Sequence, residues 1–379
     1  MTSRERVLRA LNHEEPDRVP IDFGGPMTTI EAQGYDRLKE HLGTATPTEV
    51  FSRAHVKPDE QVLKIFSVDT RYVYFNVPEP WNPNKYLDNT YVDDWGVTFK
   101  MPKGSYYYDP VAYPLENATV DDLNRHSWPS KVSEENAKRW SEEAKHLFEE
   151  TEFSIIADAT GWGIFEEAWG LRGFQRFLVD LYKNRVFVEA LLDKILETQL
   201  SRFNAYLDAI GRYVDVVIVS DDLGMQTGPI IAPKMYREII KPRHRELFKF
   251  IKTRTGAKLF LHTCGAIQPF ISDLVDVGVE ILNPIQVSAK GMDDTAAFKK
   301  EYGHDLVLWG GGCDTQDVLP HGTPRDVRNE VKRRIRDLAP GGGFVFAGVH
   351  NIQPDVPPEN VVALYKAALE FGDYPIYTT

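Results

Sequence analysis

Residues 214–222, VDVVIVSDD, decide the fold: an apolar run broken only by Asp215 stops abruptly at Ser220, Asp221 and Asp222. Valine and isoleucine branch at Cβ and favour a pleated strand. A strand without a polar face must be covered on both sides, as in a parallel sheet. The pattern recurs outward in both directions. Downstream come KLFL at 258–261, EIL at 280–282, LVLW at 306–309 and FVFA at 344–347; upstream come FSIIA at 153–157, RYVYF at 71–75 and VPIDF at 19–23. Helical spacing fills the intervals, at 3–12, 30–42, 133–150, 163–182, 185–210, 232–254, 266–276, 293–301, 324–337 and 357–371. An eightfold strand–helix alternation is best explained as an α/β protein with a (β/α)8 TIM barrel, here one domain over residues 1–379. The rival, an open doubly wound sheet, usually carries a glycine-rich phosphate turn after its first strand, and neither GxGxxG nor GxxxxGK[ST] occurs. One stretch interrupts the alternation after the second strand. Residues 77–130 are dense in proline, asparagine, aspartate and aromatics, Pro78, Pro80, Trp81, Pro83 and Trp95 among them. TYVDDWGVTFK at 90–100 reads as a strand pair, so the stretch is expected to be an excursion over one face of the domain.

Charge narrows the partners. Lys and Arg number 44 against 56 Asp and Glu, a net charge of −12, which argues against nucleic acid and anionic membrane surfaces. The opening residues lack the apolar core of a secretory signal, and no run of apolar residues is long enough to span a bilayer. Cys264 and Cys313 are the only cysteines, a usage that suits a reducing compartment, and a cytoplasmic enzyme is expected. A small-molecule substrate is the expected partner, and a homodimer is compatible with the sequence.

In a barrel, chemistry gathers where strands end. Polar and titratable residues follow the apolar runs: Asp158 to Gly163, Ser220 to Gly224, His262 to Gly265, Asn283 to Gln286, Gly310 to Asp314 and Gly348 to Asn351. His262 and Cys264, two apart on an extended chain, present an imidazole and a thiol to one side, a pair suited to Zn²⁺. The competing reading is a buried thiol beside a histidine bonded to the backbone. Cys313 and His350, on later strand ends, are candidate third ligands. Asp222 and Glu166 are the candidate acid–base residues; of the Asp221–Asp222 pair, at least one is expected to cap a helix or pair with a cation. Trp162, Asn283, Gln286 and Trp309 are expected to contact substrate.

RERVLRALNHEEPDRVPIDFGG at 4–25, HTCGAIQPFISDLVDVGVEILNPIQ at 262–286, GTPRDV at 322–327 and GGGFVFAGVHNIQPDVPPENVVALYKAALEFG at 341–372 resemble, in order, the uroporphyrinogen decarboxylase superfamily. The resemblance implies the barrel and a cleft at its C-terminal face. It is stronger to the zinc- and corrinoid-dependent methyltransferases of that superfamily than to its decarboxylases. The decarboxylases carry an arginine-rich early motif, and here no Arg lies between Arg18 and Arg37. They also carry an aspartate after the second strand, where this chain has Asn76. The methyltransferases bind Zn²⁺ through His-x-Cys, matched by His262 and Cys264, and through a Cys near the last strand, where His350 stands; Cys313 remains the alternative third ligand. The resemblance thus implies methyl transfer between a thiol, ether or amine and methylcobalamin or another corrinoid carried by a partner protein. A carboxy-lyase acting on a tetrapyrrole or a smaller acid is the alternative.

Overall fold

Seven parallel strands form one curled sheet in the spatial order Phe344–Val345, Val307–Trp309, Ile281–Asn283, Lys258–His262, Val216–Ser220, Ser154–Ala157 and Thr70–Val73. The computed structural model describes residues 1–82, 89–106 and 108–377. Residues 19–23 lie between the two outer strands as an eighth stave. Ile21 bridges Phe346 in parallel, Asp22 N donates to Phe346 O at 2.8 Å, and Asp69 N donates to Ile21 O at 2.8 Å. Pro20, which has no N–H to give, limits this stave to isolated bridges. The ring is a (β/α)8 barrel, as the alternation predicts. No helix among the described residues is long and apolar enough to cross a membrane.

The predicted helices form with small revisions. The segment 163–182 breaks at Gly173, φ +89°, into Ile164–Arg172 and Phe174–Lys183. The segment 232–254 contains a π-helical turn, Tyr236–Ile240, before Lys241–Arg254. The excursion carries the predicted pair, Thr90–Val92 antiparallel to Thr98–Lys100, and a third strand, Asp109–Ala112. Pro83 lies outside the described residues. A second small sheet was not anticipated: Glu49–Ser52 and His55–Lys57 form a hairpin flanked by Glu79–Pro80. Its strands are too short to register as alternation.

Alternation along each stave sorts the residues into two cores. Val216, Ile218, Phe260, Ile281, Val307, Trp309 and Val345 fill the barrel interior. Val217, Val219, Leu259, Leu261 and Leu308 face the helices. Continuing the interior parity past the strand ends gives Ser220 and Asp222 on one stave, His262 and Cys264 on the next, and Asp158 after Ile156. The apolar interior thus ends upward in a polar floor. Trp309 belongs below that floor. It is fully buried and its indole N–H donates to Asp22 Oδ2 at 2.9 Å, so it is an interior packing residue and not the pocket wall expected from the sequence.

Gly163 fixes the approach of the helix Ile164–Arg172 to the stave Val216–Ser220. A Cβ there would lie 2.1 Å from Ser220 O and 2.3 Å from Asp221 Cβ. Gly163→Ala is expected to destabilise the protein by about 1–3 kcal/mol, the usual range for forced overpacking, as measured by urea unfolding.

Candidate active site

The floor is built from adjacent staves. His262 ends Lys258–His262 and is almost fully buried. Its Nδ1–H donates to Asn283 Oδ1 at 2.6 Å, and Asn283 Nδ2 donates to Trp309 O at 2.9 Å, which orients the amide. The lone pair is therefore on Nε2, where the Cys264 thiol donates at 3.3 Å. His350, on the loop after the last stave, completes the group. Its ring centroid is 5.4 Å from that of His262, and one ligand atom from each of His262, Cys264 and His350 lies within 4.8 Å of the others. His350 Nδ1 is buried with no hydrogen-bond partner among the described residues. Burial lowers the His262 pKa to about 4 against the opposing pull of Asn283. Burial, and then the neighbouring His262, lowers that of His350 to about 4. Burial pushes the Cys264 thiol well up, with Asp222 and Glu166 adding to it.

The structure does not bring Cys313 to this group. Gly310 and Gly311, at φ +84° and +82°, turn the chain tightly against its neighbours and into the outer core. Added Cβ atoms there would meet Gly348 O at 3.0 Å and Ile285 Cβ at 2.8 Å. Cys313 is left fully buried in the outer core, its thiol 3.8 Å from Asp314 O. Asn283 and Gln286 are likewise supports and do not line the cavity. Gln286 Oε1 accepts Gly265 N–H at 2.6 Å and so holds the turn after Cys264.

The two aspartates divide as parity requires. Asp221 faces the helices. Its carboxylate accepts the N–H groups of Phe165 and Glu166, both at 2.9 Å, and meets His244 Nε2 at 2.7 Å. His244 Nδ1 in turn meets Tyr236 Oη at 3.1 Å. Asp222 faces the cavity. Its Oδ1 accepts Cys264 N–H at 2.6 Å and lies 3.9 Å from His262 Nε2. Glu166 Oε2 accepts the Ser220 hydroxyl at 3.2 Å. Burial, followed by the charges of Asp222 and Asp221, raises the Glu166 carboxyl well above its ordinary range. Burial also raises Asp222.

Glu166, Ser220, Asp222, His262 and His350 line a cavity of about 740 Å³ at the carboxyl ends of the staves. Its walls come from elsewhere. Phe51, Arg53 and His55 belong to the hairpin, Tyr91, Trp95 and Tyr108 to the excursion, and Trp162 to the loop after Ser154–Ala157. Asp158, which heads one of the polar strand-end clusters, also lines it, as do Glu167 and Asp93. Asp158 accepts Phe75 N–H at 3.1 Å, and burial raises its pKa to about 7. Interior parity after Ile156 is the signal that turns it inward. Nothing in the short hairpin strands announced Arg53 or His55.

Comparison with known proteins agrees with this architecture. The chain is 28% identical over 372 residues to the methylcobamide:CoM methyltransferase MtaA of Methanosarcina barkeri, covering 98% of each protein. It is 27% identical over 190 residues to the uroporphyrinogen decarboxylase of Pseudoalteromonas translucida, a match spanning 48% of either chain. A methyltransferase from Methanosarcina mazei shares the fold, with a TM-score of 0.66 and 21% identity over 98% of this chain and 99% of that one. The end-to-end match is to a methyltransferase, whereas that decarboxylase aligns over about half its length. The uroporphyrinogen decarboxylase (URO-D) family pattern matches residues 90–371, and the chain belongs to that family.

Proposed function

We propose that the protein is a zinc-dependent methyltransferase that moves a methyl group between a small thiol, ether or amine and a corrinoid carried by a partner protein. The observation that carries this reading is the convergence of His262, Cys264 and His350 at the cavity floor. Zinc with Zn–S of about 2.3 Å and Zn–N of about 2.0 Å holds tetrahedral donors about 3.5 Å apart. The 3.3 Å between Cys264 Sγ and His262 Nε2 is close to that spacing, and the orphaned ring nitrogen of His350 is a donor in need of a partner. Bound there, Zn²⁺ supplies Lewis acidity that lowers the pKa of a thiol or polarises an ether oxygen or amine nitrogen.

The chain's own residues do the rest. Asn283 fixes the His262 tautomer, the usual task of a group behind a metal-binding imidazole. Asp222 and Gln286 hold the turn that presents Cys264. Glu166, which shares the cavity with His262 and His350 and accepts the Ser220 hydroxyl, is the candidate to take up the proton that a thiol nucleophile gives up. The full-length likeness to a methylcobamide:CoM methyltransferase supports methyl transfer over decarboxylation. So does the wall chemistry: among the described residues the cavity offers two guanidinium groups, Arg53 and Arg202, to the eight carboxylates of a tetrapyrrole.

Elemental analysis tests the reading. Near-stoichiometric zinc is expected in the wild type and in Cys313→Ser, with His350→Ala depleted. Wild-type protein purified without zinc, or depletion by Cys313→Ser with retention by His350→Ala, would sink it.

A further inference from the structure

The helix Ile164–Arg172 brings Glu166 to the cavity, yet it begins after Gly163, which has no side chain to cap it. Asp221, just past the end of the next stave, does the capping instead. Its Oδ2 and Oδ1 accept the N–H groups of Phe165 and Glu166, both at 2.9 Å, and a negative group suits the positive end of a helix. The backbone of the same residue is tied to the donor group: Asp221 N donates to His262 O at 2.9 Å. On either side of it, Ser220 holds the Glu166 carboxyl and Asp222 holds Cys264 N–H. Three consecutive residues thus set the distance between Glu166 and the His262–Cys264 pair.

Asp221 is anchored in turn from the helical layer, through His244 and Tyr236, all three almost fully buried. The third donor to its carboxylate is His244 Nε2–H, at 2.7 Å, which leaves Nδ1 to accept the Tyr236 hydroxyl at 3.1 Å. Phe248 stacks on the imidazole with ring centroids 5.0 Å apart. The local backbone serves the same arrangement. Pro242 has no N–H to give to Glu238 O, and the helix passes this gap through the π-turn Tyr236–Ile240. Such a turn inserts one residue, so Tyr236 and His244, eight apart, share a face as residues seven apart do in an α-helix. Neither side chain lines the cavity, so any effect on the chemistry passes through Asp221.

We propose that Tyr236 and His244 are positioning residues: they lock Asp221, and through it Glu166, at a fixed distance from the His262–Cys264–His350 group. The proton-accepting task of Glu166 rests on the methyl-transfer reading; the lock on the start of its helix does not.

Two measurements on the protein as purified test this, with zinc determined on each sample. The first is native-state amide exchange. In Tyr236→Phe and His244→Ala the amides of Phe165 and Glu166 are expected to exchange about tenfold or more faster, with those of the stave Val216–Ser220 unchanged. His244→Gln, whose amide N–H takes the place of Nε2–H, is expected to restore protection. The second is methyl transfer from free methylcobalamin to 2-mercaptoethanol. Tyr236→Phe and His244→Ala are expected to lower kcat by about tenfold or more at unchanged zinc content and unchanged KM for the thiol, and His244→Gln to recover most of the loss. Unchanged exchange at 165–166 in both variants, exchange raised equally along the stave, turnover lost together with zinc, or turnover unchanged despite faster exchange overturns the proposal. Wild-type protein that holds no zinc and transfers no methyl group, with variants that still exchange faster at 165–166, refutes the function above and leaves the lock standing. Zinc-loaded, active protein whose exchange and turnover ignore both substitutions does the reverse.

Discussion

His262→Ala is expected to strip the protein of zinc and to lower methyl transfer by about three orders of magnitude, as loss of roughly 4 kcal/mol of Lewis-acid stabilisation would. The fold should persist. His262 sits above the apolar interior, so its removal opens space toward the cavity and leaves the layer of Val216, Ile218, Phe260 and Trp309 intact. Asn283→Ala separates orientation from ligation. It leaves all three donors but removes the acceptor that fixes Nδ1–H, and a loss of about 10–100-fold in metal affinity is expected. Competition against a chelator measures both variants. A His262→Ala protein with normal zinc and turnover would show that the imidazole is a packing residue.

Asp158→Asn is expected to stabilise the protein, and more so at higher pH. Burial raises the Asp158 carboxyl from the ordinary 3.8 to about 7, against the opposing charges of His55 and Arg139. The unfolded chain gives up that proton near pH 4, while the native protein keeps it until near pH 7. Between those values the native state holds more protons, so stability falls as pH rises through the window. At about 1.4 kcal/mol per pKa unit the full penalty above pH 7 is about 4 kcal/mol. The asparagine carbonyl can still accept Phe75 N–H. Urea unfolding should therefore give nearly equal stabilities for variant and wild type near pH 4 and a gap of a few kcal/mol at pH 8. A gap that shrinks with rising pH would mean the carboxyl is stabilised as the anion. A carboxyl that costs this much where it faces a cavity is kept for what it does there.

The staves and helices were legible because each is long enough to show a period. VDVVIVS, KLFLH and the helix 185–210 carry their burial in their composition. His262 and Cys264 were legible because both follow one strand by interior parity. The same parity separates Asp222 from Asp221 and exposes Asp158. Trp309 stands at a strand end, but its parity, two residues after Val307, points it into the barrel toward Asp22. Cys313 was a reasonable donor from its place in the chain. The glycines at 310–311, which turn it into the outer core, act through backbone geometry that a side-chain reading misses. The hairpin at 49–57 left no sequence trace, since each of its strands offers only a residue or two to the core.

The floor and the walls of the cavity have separate origins in the chain. The donor trio and its supports stand on staves and the turns that follow them, locked by neighbours on every side, whereas the aromatic and cationic surface hangs on a hairpin and an inserted sheet. Reaction and recognition can therefore drift apart in descent. A lineage could rewrite residues 49–57 and 90–112 to suit a new molecule while inheriting the reactive centre untouched, and relatives that keep the trio need not share a diet.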